Sequence, residues 1–270
     1  KKIRITYLKF INNHKYMFNK FKNKTIIITG HAGFKGSWLT LWLKLLGAKV
    51  VGISINLPSK PSHYEELKIS KEIISIKQDI RNLKELEKIF QKYQPDFVFH
   101  LAAQALVQKS YKDPITTFNT NIIGTMNVLE SLKKIKKKFA AVIITSDKSY
   151  KNIEIERGYH ENDLLGGKDP YSASKGAAEI IIQSFINSYF TNKKQNVAIA
   201  RAGNVIGGGD WSENRLIPDC VKSWSKNKKA KIRNPKSTRP WQHVLEVVRG
   251  YLRLAECLYK NRKLHGEPFN

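Results

Sequence analysis

The chain has 270 residues, 41% hydrophobic and 10% aromatic, enough apolar side chain to bury one large domain with a smaller appendage. No apolar run reaches the ~20 residues that cross a bilayer, and no export signal with an apolar centre and small-residue cleavage site is visible, so a cytoplasmic protein without a membrane partner is expected. The net charge of +26 raises polyanion binding, but of 48 basic residues only 10 are arginines, and the densest runs, 133–138 and 226–231, fall at expected helix ends or loops. A solvated face is therefore expected, and no nucleic-acid partner. The two cysteines, Cys220 and Cys257, have neither zinc-site nor disulfide-framework spacing and read as apolar fillers, with no metal site.

Residues 1–16 are polar, basic and unpatterned, and Met17 reads as the natural start, making 1–23 a tail. Thr25–Thr29 (TIIIT) is a β-branched run suited to a central strand buried on both faces. It leads into Gly30-His-Ala-Gly33-Phe-Lys-Gly36 and then a helical apolar pattern at Trp38, Leu39, Leu41, Trp42, Leu45 and Leu46. Strand, glycine turn and helix form the context of a dinucleotide fingerprint, here spaced GxxGxxG. Gly30 would allow the tight turn, Gly33 the approach of backbone to a pyrophosphate, and Gly36 the packing of helix on strand. The helix N-terminus would offer unpaired N–H groups to the phosphates. A glycine turn with no ligand is the plainer alternative.

Val50–Ile55 is the expected second strand, returning parallel through a right-handed crossover. Where the fingerprint places an acid for the adenosine ribose stands Asn56, whose amide can bond a hydroxyl but rejects a 2′-phosphate less well; NAD is expected over NADP. Asp79 can meet an adenine amine, cap a helix over Leu83–Tyr93, or both. Phe97–Leu101 is the fourth strand, ending in the small Ala102 and Ala103 and then Gln104. Asp113-Pro114 opens a helix over Ile115–Lys134 that carries Asn121, which either bridges to the sheet or faces solvent.

Ala141–Thr145 is the fifth strand and delivers Ser146, Asp147 and Lys148 to the C-terminal sheet edge, where open α/β sheets bind ligands. A loop over 152–169 leads to Pro170-Tyr171 and an amphipathic helix to about Tyr189. Tyr171 and Lys175 lie one turn apart on one face, so the ammonium can favour the phenolate and make Tyr171 a proton acceptor near neutral pH. Val197–Ala200 is the sixth strand, and Arg201 to Asp210 leaves it as a loop too glycine-rich for ordinary packing. The βα rhythm then gives way to a helix near Arg215–Ser225, a short strand at Lys231–Arg233, the segment RPWQHV and a helix to about Tyr259. A nucleotide-binding domain over 24–200 and a substrate lobe over 201–270 follow. Arg201, Arg215 and Arg239 fit a diphosphate-bearing substrate, with ordinary ion pairing as the alternative for each.

With TGHAGFKGSWL, HLAAQALV, TSDKSY, DPYSASK, RAGNVIGGGDW and RPWQHV in this order, the chain resembles the CDP-glucose 4,6-dehydratases of the extended short-chain dehydrogenase/reductase superfamily, over about residues 24–270. The resemblance implies a Rossmann-type doubly wound parallel sheet with a smaller C-terminal substrate lobe. GEPFN at 266–270 looks like the start of a further strand, so that lobe is expected to be truncated. It implies NAD at Gly30, Gly33, Phe34, Lys35, Gly36, Asn56, Asp79, Ile80, Leu101, Ala102, Ala103, Tyr171 and Lys175. It implies a nucleotide sugar, CDP-glucose favoured, at Gln104, Asn204, Arg215 and Arg239, and a homodimer or higher homo-oligomer through helices 115–134 and 171–189. Deoxysugar biosynthesis of the lipopolysaccharide O-antigen kind is the implied setting.

The same resemblance gives each catalytic residue a role. Tyr171 takes the sugar 4-hydroxyl proton, Lys175 holds the nicotinamide ribose and lowers the tyrosine pKa, and Ser146 bonds the same hydroxyl. NAD accepts the C4 hydride and returns it to C6. Asp147, kept protonated, gives its proton to the departing C6 hydroxyl. Lys148 stands where related dehydratases carry a glutamate, and either removes the C5 proton, with its pKa pulled down, or stabilises the enolate. Two rivals share parts of this set. A nucleotide-sugar 4-epimerase of the same fold uses Tyr171, Lys175 and the glycine loop but needs no acid for a C6 hydroxyl. A non-catalytic Rossmann-type nucleic-acid-binding protein would use the basic charge and leave the catalytic set idle.

Overall fold

The computed structural model describes residues 18–232 and 234–270. Its strands are β1 (Thr25–Thr29), β2 (Lys49–Ser54), β3 (Ile74–Lys77), β4 (Phe97–His100), β5 (Phe139–Ile144), β6 (Gln195–Ala200), β7 (Asn204–Ile206), β8 (Trp241–His243) and β9 (Pro268–Phe269). Its α-helices are α1 (Phe34–Leu45), α2 (His63–Leu67), α3 (Leu83–Tyr93), α4 (Val107–Lys112), α5 (Pro114–Phe118), α6 (Gly124–Leu132), α7 (Pro170–Tyr189), α8 (Leu216–Trp224) and α9 (Val244–Lys260). Seven strands form one parallel sheet in the order β3-β2-β1-β4-β5-β6-β9. The order reverses between β1 and β4, and such a switch point opens a crevice at the strand C-termini.

Period-2 alternation divides the strand side chains between two cores. Ile26 and Ile28, Phe97 and Phe99, Ala140 and Val142, and Ala198 and Ala200 pack on one face under α1 and α9. Ile27, Val98, Ala141, Ile143, Val197 and Ile199 pack on the other under α3, α6 and α7. Ile26, Ile27 and Ile28 are all fully buried, worth about 2 kcal/mol each, which is why the run alternates in facing but not in polarity. Phe18 and Phe21, expected within the polar lead, are also fully buried; the Phe21 ring lies tilted against Phe97 with centroids 4.7 Å apart. The rest of the expected tail, with Met17, lies outside the described residues.

Local chemistry sets the helix starts. Asn82 caps α3 by accepting from Glu85 N at 3.2 Å, so that role falls to Asn82 and not to Asp79. Asp113 caps α5, and Asp169 caps α7 with Pro170 in the first turn. The expected 115–134 helix is interrupted by a π turn over 119–123, at the position of Asn121. Asn121 is the bridge: its amide donates to Gln104 O at 3.0 Å and Ser174 Oγ at 2.8 Å and accepts from Gln104 N at 2.8 Å.

No strand forms at 231–232, and Arg233 lies outside the described residues. The strand instead falls within RPWQHV, where β8 pairs parallel with β7 from Asn204↔Trp241 to Ile206↔His243. Two glycines of the preceding loop serve close packing, contrary to expectation: a Cβ on Gly207 or Gly209 would lie 2.5 Å from Val244 or His63. Beyond β8 the chain returns to the sheet. Helix α9 packs under β5 and β6, and β9 pairs with β6 at Ile199↔Pro268.

Candidate active site

The glycine turn fits its expected geometry. Gly30 has φ +77° and a Cβ there would lie 2.7 Å from Ala102 N, so both backbone conformation and space require glycine. A Cβ on Gly36 would lie 2.0 Å from Gly30 O. The first bond of α1 runs from Ser37 N to Gly33 O at 2.8 Å, which leaves the N–H groups of Phe34, Lys35 and Gly36 pointing out of the helix start. Leu101 N donates to Thr29 O at 2.9 Å and Ala102 N to Thr29 Oγ1 at 3.3 Å, holding Leu101, Ala102 and Ala103 beside the turn. The result is a backbone cradle at the sheet's switch point.

The residues expected on the adenosine half stand at the other end of this cleft. Asn56 is exposed, two residues past the end of β2. The space beside β2 is taken by His31, against which a Cβ on Gly52 would lie 2.3 Å away. His31 bonds Ser75 Oγ at 2.8 Å and Ser54 Oγ at 3.0 Å, and burial pushes its pKa below the usual value. Asp79 accepts from Arg81 N at 2.8 Å and pairs with the Arg81 guanidinium at 2.6 Å, which holds its carboxyl below the usual range. Ile80 is buried against Gly124.

The catalytic set converges across the edge. Ser146 Oγ donates to Asp147 Oδ1 at 2.9 Å and accepts from Lys148 N at 3.2 Å, and Asp147 N donates to Ala202 O at 3.2 Å. A 3₁₀ turn over Asp147–Ser149 is thereby fixed at the end of β5, with Asp147 and Lys148 partly exposed. From α7, the buried Tyr171 hydroxyl bonds Ser146, while its backbone N donates to Ser110 Oγ at 3.2 Å. Burial pushes the Tyr171 pKa up and outweighs the Ser146 bond, with Asp147 adding to the rise and Arg215 opposing it. The expected net lowering by Lys175 is thus reversed in this cleft, because desolvation of the phenolate dominates. Burial lowers Lys175 to about 8, opposed by Glu179.

Lys35 reaches the same place from α1. Its ammonium donates to Tyr251 Oη on α9 at 3.3 Å, and burial, Lys175 and Arg215 lower its pKa to about 7 against the pull of Asp147. Burial holds the Tyr251 phenol far above its usual range. Of the residues expected on the substrate, Arg215 faces this cluster and pairs with Asp210 at 3.1 Å. Arg239 is exposed and donates to Thr238 O at 2.6 Å; Asn204 lies on β7, its N bonded to Pro240 O at 3.1 Å. The Gln104 side chain is spent internally, donating to Leu106 O and Thr117 Oγ1 and accepting from Leu106 N, so it shapes its own turn. Arg201, expected near a diphosphate, is buried and paired with Glu179 at 2.5 Å.

Sequence reasoning missed Tyr251, Glu179, Asp210 and His31. Glu179 carried a signal, its four-residue spacing from Lys175. Tyr251 carried none, because only the packing of α9 brings it to Lys35.

The model of the family described as GDP-mannose 4,6 dehydratase matches residues 27–262. A CDP-glucose 4,6-dehydratase of Salmonella typhimurium is 46% identical over 257 residues, 93% of this chain and 72% of that protein. Among solved structures, an epimerase from Methanothermobacter thermautotrophicus superposes with TM-score 0.82 at 27% identity over 94% of this chain and 73% of its own. A dTDP-glucose 4,6-dehydratase from Streptomyces venezuelae, solved with NAD and TYD bound, shares the fold at TM-score 0.78 and 22% identity, over 91% and 74% of the two chains. A family match spanning most of the chain, with a dehydratase this similar over nearly all of it, places the chain in the GDP-mannose 4,6 dehydratase family, among its nucleotide-sugar dehydratases.

Proposed function

We propose that the chain removes water across C5 and C6 of CDP-glucose, giving CDP-4-keto-6-deoxyglucose, with NAD held in the cleft. The observation that carries this reading is the meeting of Ser146, Asp147 and Lys148 with Tyr171 and Lys175 beside a glycine cradle. An epimerase shares the C4 chemistry of Tyr171 and Lys175 but has no C6 hydroxyl to expel and so no use for an acid at Asp147.

The residues present fit a dinucleotide. Gly30 and Gly36 let the turn close against Ala102 and α1 close against the turn, while a Cβ on Gly33 would meet only Gly30 O at 3.2 Å, so the helix start is left open for a pyrophosphate to meet the N–H groups of Phe34 and Lys35. Bound there, NAD supplies a hydride acceptor for C4, a donor for C6 and a cationic ring that favours the Tyr171 phenolate. Lys175 would hold the ribose and would keep a positive charge close to Tyr171. Tyr171 and Ser146 share the 4-hydroxyl, with Tyr171 Oη receiving its proton. Asp147 Oδ delivers a proton to the departing C6 oxygen, and Lys148 Nζ accepts the C5 proton. Arg215 pairs with the substrate diphosphate, exchanging part of its bond to Asp210.

A homodimer is part of the same reading. Ile115 on α5 and Ile180 on α7 are 73% and 63% exposed, and Tyr111 between α4 turns is 62% exposed, an apolar burden suited to helix pairing between copies. Among the described residues no helix is long and apolar enough to cross a membrane. A cytoplasmic enzyme supplying deoxysugars for polysaccharide of the O-antigen kind is the setting proposed.

The test is product analysis with CDP-, dTDP-, GDP- and UDP-hexoses plus NAD. CDP-glucose is expected to give a 4-keto-6-deoxy sugar absorbing in alkali. Turnover only with another nucleotide would overturn the CDP assignment, and an epimeric sugar without the keto product would overturn dehydration.

A further inference from the structure

One turn beyond Lys175 on α7 lies a second charged residue, Glu179, whose side chain is 1% exposed. Its carboxylate accepts from Thr145 Oγ1 at 2.6 Å, from Arg201 Nε at 3.0 Å on each oxygen, and from Arg201 Nη2 at 2.5 Å. Thr145 is the residue immediately before Ser146, at the point where β5 turns into the catalytic edge. Arg201, the first residue after β6, also donates to Tyr150 Oη at 2.6 Å and to Glu161 O at 2.9 Å. Tyr150 in turn donates to Asn270 Oδ1 at 2.6 Å. One buried carboxylate therefore ties the helix of Tyr171 and Lys175 to the strand end of Ser146 and Asp147, and both to the loop that follows.

Building on the dehydratase reading, we propose that Glu179 is a positioning residue for the reaction: clamped by Arg201 and Thr145, its carboxylate keeps Lys175 charged and holds α7 in register with the β5 edge. A helix alone would support neither function. Lys175 is buried, so solvent does not stabilise its charge, and the other groups near it do not replace Glu179. Lys35 from α1 and Arg215 before α8 are cations, His100 from β4 is pushed by burial to about 3 and stays neutral, and Tyr171 on the same helix face is a neutral phenol when protonated. Asp147 lies across the cleft, where it faces Lys35 and Tyr171. Residues four apart on a helix stand about 5–6 Å between Cβ atoms, close enough for an opposite charge to move a pKa by about one unit or more. The direction agrees, since Glu179 opposes the fall that burial imposes on Lys175.

The test is a titration of Lys175 itself, which does not depend on turnover. Protein labelled with [ε-¹³C]lysine is titrated by NMR, the Lys175 signal being assigned by its loss in Lys175→Arg. In Glu179→Gln, which keeps the shape and the Thr145 bond, the Lys175 midpoint is expected to fall by about one pH unit. Glu179→Asp, which keeps the charge, is expected to hold the midpoint near that of the parent. Glu179→Gln leaves the Arg201 cation buried, so the double variant Glu179→Gln with Arg201→Met, in which neither charge is left unpaired, is titrated beside it and is expected to show the same fall. An unchanged midpoint in the folded neutral variants overturns the proposal. In turnover assays the basic limb of the pH profile of kcat is expected to move to lower pH in Glu179→Gln, since Lys175 loses its proton earlier. Loss of activity with unmoved limbs would mark Glu179 as structural only. A parent chain that fails to turn over any nucleotide hexose, yet shows the Glu179-dependent midpoint, would sink the dehydratase reading and leave the electrostatic one standing.

Discussion

Replacing Arg201 by methionine isolates the buried pair on which the catalytic edge is mounted. The guanidinium and the Glu179 carboxylate are 3% and 1% exposed, so water does not reach either group when the other is removed. Three of the Arg201 donor contacts to Glu179 lie at 2.5–3.0 Å, and two further bonds go to Tyr150 and Glu161. Methionine fills part of the volume but leaves an uncompensated buried carboxylate, a change that costs about 3–5 kcal/mol. For a chain of this size each kcal/mol lowers Tm by about 2–4 °C, so a fall of about 10 °C is expected. Urea unfolding followed by tryptophan fluorescence checks it, through a lower midpoint at constant m. Adding Glu179→Gln removes the orphaned charge and is expected to recover at least half of the loss. A single-variant loss below about 1 kcal/mol, or a double variant no more stable than the single, would refute the view that each charge is there to neutralise the other.

Lys148→Ala is expected to stop exchange of the C5 hydrogen with deuterated solvent while C4 oxidation persists, read by mass spectrometry of the sugar; retained exchange removes Lys148 as the base. Gly36→Ala places a Cβ 2.0 Å from Gly30 O, so the turn must shift, and NAD affinity measured by calorimetry should fall at least tenfold, about 1.4 kcal/mol. Lys35 has a folded pKa near 7, below its unfolded value, so the unfolded chain binds more protons between about pH 7 and 10 and stability rises with pH across that window. Lys35→Met is expected to remove about 2 kcal/mol of that rise between pH 7 and 9, seen as a flatter series of urea midpoints, and an unchanged slope would show that Lys35 is not desolvated.

The elements that sequence reads well are those whose pattern is local. TIIIT, the glycine turn and the helix over Leu83–Tyr93 fall where hydrophobic period and glycine spacing put them. Ser146, Asp147, Lys148, Tyr171 and Lys175 were legible because strand end and helix start are themselves local signals, and the parallel sheet brings all such ends to one edge. Misreadings came where a residue's role is set by a partner far along the chain. Arg201 looks like a substrate ligand in sequence and is an internal ion pair, because Glu179 lies 22 residues earlier on the neighbouring helix. The glycines of 207–209 look like a ligand loop, and two of them are packing contacts for Val244 and His63.

The electrostatics of the cleft connect these points to the choice of substrate. Lys35, Lys175 and Arg215 gather around Tyr171, and the carboxylates that balance them are few and already assigned. Glu179 divides its charge between Arg201 and Lys175, Asp210 pairs with Arg215, and Asp147 accepts the bond from Ser146. Lys35 has a phenol, Tyr251, as its hydrogen-bond partner, and a phenol supplies no net charge. Each buried cation raises the cost of the next, which is why burial and its neighbours lower Lys35 further than Lys175. A ligand that brings a diphosphate relieves this strain, and an uncharged sugar does not. On the proposed reading, nucleotide activation of the hexose is part of how the site becomes competent: the diphosphate that would anchor the substrate would also favour the charged form of the lysines beside Tyr171.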